Sequence, residues 1–173
     1  MSPIGVLLTA VGVVLAMILA TVATIIVGFR TGNRTVLRAV RRFNRRAVNP
    51  RQLQTAGRAG ERTSVIRHRG SVSGRPYSTP IGAVPTDDGF VVSLPYGPEA
   101  DWVRNVRAAG SALLEHDGRR FTVDRPEIVP IASTPIDAEQ PAVRLFGIRS
   151  ALRLRATAEP PRRPPNGTTG IGA

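Results

Sequence analysis

The chain has no cysteine and no lysine, and it holds only two histidines and one tryptophan in 173 residues. The lack of cysteine excludes disulfides, thiolate metal sites and cysteine nucleophiles, and it fits a reducing compartment. The lack of lysine excludes Schiff-base chemistry, which needs a primary amine. His68 and His116 fall on separate predicted strands with too few donors around them for a zinc site. Both read as structural or solvent-facing, and no metal is expected. The acids are scattered, without a spacing that suggests paired carboxylates. Neither a G-x-G-x-x-G fingerprint nor a βαβ repeat is present, which argues against a Rossmann fold.

Positive charge, by contrast, is abundant and uneven. All 24 basic residues are arginine, and the net charge is +12. Residues 30–58 hold nine arginines and no acid, whereas residues 61–159 hold 13 arginines against 12 acids. The folded part is therefore close to neutral. A nucleic-acid-binding domain would carry its charge on the fold itself, so no nucleic-acid partner is expected. A basic juxtamembrane segment instead suits anionic lipid headgroups.

That segment follows an uncharged run of 26 residues, 4–29. About 20 apolar residues cross a bilayer core, so the run is long enough to span with tilt. The rival reading, a cleaved signal peptide, needs a basic n-region and a shorter apolar core. Arg30, Arg34, Arg38, Arg41, Arg42, Arg45 and Arg46 follow the run closely, and only the amino terminus precedes it. The positive-inside rule places the N-terminus outside and the C-terminal part in the cytoplasm of a single-pass membrane protein. Residues 34–47 read as a helix with Val36, Val40, Phe43 and Ala47 on one stripe. Such a helix lies along the headgroups or packs on the domain, and Pro50 is expected to end it. Membrane lipids are thus the partners expected for residues 4–29 and 30–51.

After a linker at 57–61, strands are expected at 63–69, 78–84 (with Pro80 marking an edge or bulge) and 89–94. A helix is expected at 99–109 with Gly110 as its C-terminal cap. A hairpin turning at Asp117-Gly118 joins 111–116 to 119–124. Further elements are a strand at 127–132, a helix at 137–147 and a final strand at 152–155, before a Pro- and Gly-rich tail that composition marks as disordered. The fold class is α+β: an N-terminal transmembrane helix, then a small antiparallel barrel with one or two packed helices. The divisions fall at 1–30, 31–60, 61–157 and 158–173.

Two segments carry candidate chemistry. R-G-S-V-S-G-R-P-Y-S-T-P at 69–80 is a Gly- and Ser-rich turn whose backbone N–H groups could converge on an anion. Arg69 and Arg75 could add bidentate contacts, although ordinary polar loops share this composition. L-P-Y-G-P-E-A-D-W-V-R-N-V-R-A-A-G at 94–110 runs from a strand through a tight loop into a helix. The helix N-terminus is a second possible anion site, for which Glu99 and Asp101 would compete. Trp102 reads most simply as a core anchor, and Arg104 and Asn105 as helix-surface residues.

Taken together and in order, these segments resemble the actinobacterial nitroreductase-like, deazaflavin-dependent oxidoreductases of the split β-barrel, flavin-reductase-like class. Gly70, Ser73, Gly74, Arg75, Pro76, Thr79 and Pro80 match one family run, and Gly97, Trp102 and Asn105 match the next. F-N-R-R-x-x-N-P at 43–50 and D-G-R-R-F at 117–121 extend the likeness over residues 43–155. The resemblance implies a split β-barrel and reduced coenzyme F420 as hydride donor, with FMN as the alternative cofactor. By the same resemblance, the turn 70–76, with Arg69 beside it, would grip the phosphate and acidic tail. The strand 78–81 and the loop 93–97 would flank the ring. Hydride transfer asks for placement more than for an acid–base pair, and Tyr96 and Ser93 are the candidates to hydrogen-bond or protonate an acceptor. The acceptor would be lipophilic: a quinone, a nitro compound or an unsaturated lipid. The class also allows a homodimer. One departure stands out, because Ser71 and Val72 replace the family's usual basic pair. That departure favours the alternative of a barrel that binds cofactor or lipid without turnover. A third reading makes the Arg-rich helix itself the working, lipid-contacting part.

Overall fold

The computed structural model describes residues 2–136 and 141–158. The disordered tail expected at 158–173 lies outside the described residues apart from Ala158, as do the first four residues of the helix expected at 137–147.

Helix α1 (Pro3–Arg30) starts at Ser2, whose side chain accepts the Gly5 N–H. A helix of 28 residues is about 42 Å long at 1.5 Å per residue, longer than a hydrocarbon core of about 30 Å. No charge interrupts it before Arg30. The hydroxyls of Thr9, Thr21 and Thr24 donate to carbonyls one turn back, so none demands an outside partner. The helix is long and apolar enough to cross a membrane. Its apolar side chains from Ile4 to Val22 are exposed.

The chain then turns back on itself. Gly32 takes the left-handed conformation at φ 65°, and Asn33 caps α2 (Arg34–Phe43) by accepting the N–H groups of Thr35 and Val36. Val36 packs directly on Gly28, where any Cβ would overlap it. Leu37 is buried in this elbow, while Phe43, expected on the apolar stripe, is 64% exposed. Pro50 does not end the helix. A π-helical turn (Asn44–Val48) intervenes, and the Asn49 N–H reaches back five residues to Asn44. α3 (Asn49–Gln52) then continues with Pro50 in its first turn. Proline has no N–H and its ring crowds the carbonyl four residues earlier, so widening the preceding turn lets the helix pass through it.

Seven strands form one antiparallel sheet: β1 (Ser64–Arg69), β2 (Pro76–Ile81), β3 (Ala83–Thr86), β4 (Gly89–Ser93), β5 (Ser111–His116), β6 (Arg119–Pro130) and β7 (Ser150–Ala158). Their order is β2-β1-β5-β6-β7-β4-β3, and the sheet curls into a half-barrel. The strand expected at 78–84 is in fact two. Gly82 separates β2, which pairs with β1, from β3, which pairs with β4. Pro80 sits on the edge strand, where a missing ladder donor is tolerated. The strands expected at 119–124 and 127–132 are one, because a bulge between Asp124 and Glu127 absorbs Arg125 (φ 48°) and Pro126 without ending the pairing. The β5–β6 turn is as expected: Asp117 and Gly118 both have positive φ, the signature of a tight primed turn. The segment 57–61 is fastened to this hairpin through Gly118 N–H to the Gly57 carbonyl at 2.7 Å and Gly60 N–H to Asp117 Oδ1 at 2.7 Å.

Alternation explains the core. Phe90 and Val92 of β4 join Ile66, Leu114, Leu152 and Leu154 beneath α4 (Asp101–Ala109), which contributes Val103 and Val106. Val91, facing the other way, joins Val129, Ile131 and Ala151 beneath α5 (Pro141–Phe146), which contributes Val143. β4 is covered on both faces, hence its unbroken apolar run. Helix α4 ends at Gly110, left-handed at φ 72°.

Candidate functional site

β1 leads into the site. Ser64, Val65 and Ile66 are all buried, and from Ile66 on the strand alternates, with His68 buried and Arg67 and Arg69 exposed. The β1–β2 turn closes with Gly70 N–H to the Arg75 carbonyl (2.9 Å) and Gly74 N–H to the Gly70 carbonyl (2.8 Å). Gly70 has no room for a Cβ, which would stand 3.0 Å from the Tyr77 ring and press on Ser73 Oγ. Across a gap lies the start of α4, and the two are tied directly: Asn105 Oδ1 accepts the Ser71 N–H at 2.9 Å. The same amide donates through Nδ2 towards His68 Nδ1 (3.3 Å), and His68 Nε2 meets Thr79 Oγ1 (3.1 Å). Because Asn105 Oδ1 is committed to Ser71, Nδ1 of His68 must accept and Nε2 must carry the proton. Burial lowers the His68 pKa, opposed by a backbone hydrogen bond at Arg69. The ring is therefore neutral and fixed in one tautomer, stacked on Tyr77 at 5.8 Å between centroids.

The turn, β2 and α4 form three sides of a cavity of about 620 Å³. The fourth side is the helical arm that follows α1: Arg41, Asn44, Arg45, Asn49, Gln52 and Leu53 face the space. Tyr96 joins this arm to the barrel. Its hydroxyl accepts from Asn44 Nδ2, its carbonyl accepts from Arg41 Nη2 at 3.0 Å, and the Arg41 guanidinium lies 5.7 Å from its ring centroid. Phe29, at the end of α1, packs against both Tyr96 (5.5 Å) and Phe146 (4.9 Å). Burial raises the Tyr96 pKa, opposed by the Asn44 hydrogen bond and the Arg41 charge, so the phenol keeps its proton at neutral pH.

Of the residues singled out from sequence, Gly70, Ser73, Thr79, Pro80, Tyr96, Trp102 and Asn105 line this one cavity. Arg69, Gly74, Arg75, Pro76, Ser93 and Gly97 are outside its lining. Arg69 turns Nη1 to the Gly74 carbonyl at 3.2 Å and so braces its own turn. Ser93 ends β4 opposite Ala151, and Gly97 (φ 77°) shapes the approach to α4. His68, expected to be structural or solvent-facing, is buried in the cavity wall with Asn105 and Thr79 as its partners. Sequence reasoning overlooked the polar stripe Arg41, Asn44, Arg45, Asn49, Gln52 as a cavity wall, although its helical spacing points to a shared face.

The charge balance of the lining is positive, with Arg41, Arg45 and Arg104 set against Asp101 alone. Arg104 is paired with that carboxylate at 2.7 Å. Arg41 Nε is buried without a hydrogen-bond partner. Such an arrangement can hold a flat apolar ring between Tyr77, Pro80, Trp102 and Leu53 and an anionic group near the arm.

No family model matches the chain, and no curated protein matches it. Among solved structures, an F420 reductase aligns at 13% identity and a TM-score of 0.39, covering 56% of this chain and 86% of its own. A protein of unknown function from Agrobacterium tumefaciens aligns at 20% identity and 0.38, covering 57% of this chain and 51% of its own. A conserved hypothetical protein from Mycobacterium tuberculosis aligns at 14% identity and 0.37, covering 64% and 88%. Likeness this distant carries no argument about the chemistry of the cavity.

Proposed function

We propose that this chain is a membrane-anchored oxidoreductase that uses reduced coenzyme F420 in the cavity between the β1–β2 turn and α4 and serves a lipophilic acceptor. One observation carries this reading. The two segments that resemble the deazaflavin-dependent family, 69–80 and 94–110, are bonded to one another through Ser71 and Asn105 and share a single cavity. Its volume of about 620 Å³ falls in the range of small-molecule sites. Its apolar walls suit a tricyclic ring, and Arg41 and Arg45 on the arm suit an anionic group. A flavin ring, as in FMN, is the alternative occupant.

When bound, the reduced deazaflavin supplies a hydride, and an acceptor such as a quinone takes it up together with a proton. The chain's own part is placement and proton supply. Thr79 and Pro80 form one flat wall, Trp102 another, and Tyr96 holds a protonated phenol at the junction with the arm. A quinone is reduced to hydroquinone by one hydride and one proton, and the Tyr96 hydroxyl is the proton donor in this reading. The exposed apolar surface of α1 far exceeds what a soluble monomer leaves bare, which supports anchoring. The arginines after it support a cytoplasmic barrel. Tethering raises the effective concentration of the cavity near a membrane-dissolved acceptor.

The test is oxidation of reduced F420 by the full chain in detergent micelles with a soluble quinone. The reading expects chain-dependent turnover, and Tyr96→Phe should lower kcat by about 10²-fold, the scale of general acid catalysis, while leaving the ring contacts of residue 96 in place. Absence of both binding and turnover contradicts it. Binding without turnover across quinone, nitro and unsaturated-lipid acceptors would select the second reading, a cofactor-binding protein without catalysis. The uncharged Ser71 and Val72 are the observation that favours that reading.

A further inference from the structure

The cavity has a cation that no described residue pairs with, Arg45 of the arm. Arg69 is spent on the Gly74 carbonyl, Arg75 is outside the lining, and Ser71 and Val72 carry no charge. The Ser71 N–H is committed to Asn105, and Ser73 Oγ accepts from the Arg75 N–H. Arg45 faces the cavity one helical turn from Arg41, and it makes no ion pair or hydrogen bond with any described residue. No acid occurs in residues 30–58 to answer it. Arg41 beside it is held by Tyr96 yet keeps a buried, unpartnered Nε. Asn44, Asn49 and Gln52 add amide groups along the same wall. Asp101, the one carboxylate in the lining, is occupied by Arg104.

We infer that Arg45, supported by Arg41, is the anion-binding element of the cavity and receives a phosphate group of the ligand there, because the arginines of the turn, Arg69 and Arg75, stand outside the cavity lining. The inference rests on the proposed function for one source of that phosphate, the tail of the deazaflavin cofactor. A phospholipid headgroup offers the same chemistry, because the arm leaves α1 directly. In either case the juxtamembrane helix is a part of the binding site, and specificity for phosphorylated ligands resides in it.

Trp102, the one tryptophan of the chain, lines the cavity, so its fluorescence reports occupancy. The full chain in neutral detergent micelles is titrated with F420, with the phosphate-free deazaflavin fragment and with a short-chain phosphatidylglycerol, as wild type, Arg45→Gln and Arg75→Gln. The expected result is a loss of F420 affinity of about tenfold or more in Arg45→Gln, the scale of one charge-assisted hydrogen bond. Affinity for the phosphate-free fragment stays unchanged, and Arg75→Gln resembles wild type. If neither deazaflavin binds wild type but phosphatidylglycerol does so in an Arg45-dependent way, the anion site stands, its source is lipid, and the F420 reading falls. Binding of every ligand by Arg45→Gln as by wild type overturns the inference, as does a loss of F420 affinity in Arg75→Gln alone. So does a wild-type chain that binds none of the three.

Discussion

His68 carries more consequence than any other single residue near the cavity, because three hydrogen-bonded groups depend on its protonation state. Adding a proton at Nδ1 would set it against the Asn105 amide donors. Asn105 would then have to turn over and release the Ser71 N–H. The sign of the pH effect follows from burial. The folded His68 pKa lies below the ordinary value near 6.5, so the unfolded chain binds more protons between those two values. Stability is full above about pH 6.5 and falls as the pH drops through that window. Thermal unfolding of wild type between pH 7.5 and 5.5 should show this loss, and His68→Leu should lack that component; identical slopes would contradict it. Asn105→Ala removes the hydrogen bonds to the exposed Ser71 N–H and to His68 and should cost about 0.5–1.5 kcal/mol, read as a lowered unfolding midpoint. A different constraint acts at Gly89, where a Cβ would collide with the Leu154 carbonyl and crowd the Ala156 nitrogen. Backbone on the facing strand cannot move aside cheaply. Gly89→Ala should therefore destabilise by about 1–3 kcal/mol as overpacking does, measured by the same unfolding.

At the scale of elements, the π-helical turn decides which residues of the arm face the cavity. Each residue in a helix advances the face by about 100°. Inserting one alanine after Ala47 would advance the following residues by about 100° and rotate Asn49, Gln52 and Leu53 off the cavity wall. The expected outcome is a loss of ligand affinity of about tenfold or more with helix content preserved by circular dichroism; unchanged affinity would show that this wall is idle. The turn also explains what sequence could and could not disclose. The type and place of most elements were legible from alternation, the Asp117-Gly118 turn and Gly110. The split at Gly82, the bulge at 125–126 and the passage of a helix through Pro50 were not, because each is a local exception that tertiary pairing or a widened turn accommodates. The pairing of the Gly/Ser turn with α4 was legible as an ordered set of motifs. The arm as a wall was not, since a run of arginines after an apolar helix reads equally well as a lipid-facing surface.

For the whole molecule, the contacts between α1 and the half-barrel matter most. Phe29 packs on Tyr96 and Phe146, Arg30 Nη1 donates to the Arg144 carbonyl at 3.2 Å, and Val36 seats on Gly28. The apolar helix is thus fixed to the half-barrel at its last turn. Gly28→Val should push α2 off α1 and disturb the cavity from a distance, lowering ligand affinity while the sheet stays folded; retained affinity would show that the elbow and the cavity are independent. If α1 is an anchor, the chain should remain with membranes after a high-salt and alkaline wash and be released by detergent alone. Release by salt would assign the attachment to the arginines instead.

The proposed function rests on the cavity shared by the 70–73 turn, α4 and the arm. Its lone tryptophan makes the decisive measurement simple: titration of the full chain with F420, followed by Trp102 emission, with FMN as comparison. The expected result is a saturable change at one cofactor per chain, stronger for F420 than for FMN. A linear, unsaturable response to both would contradict it.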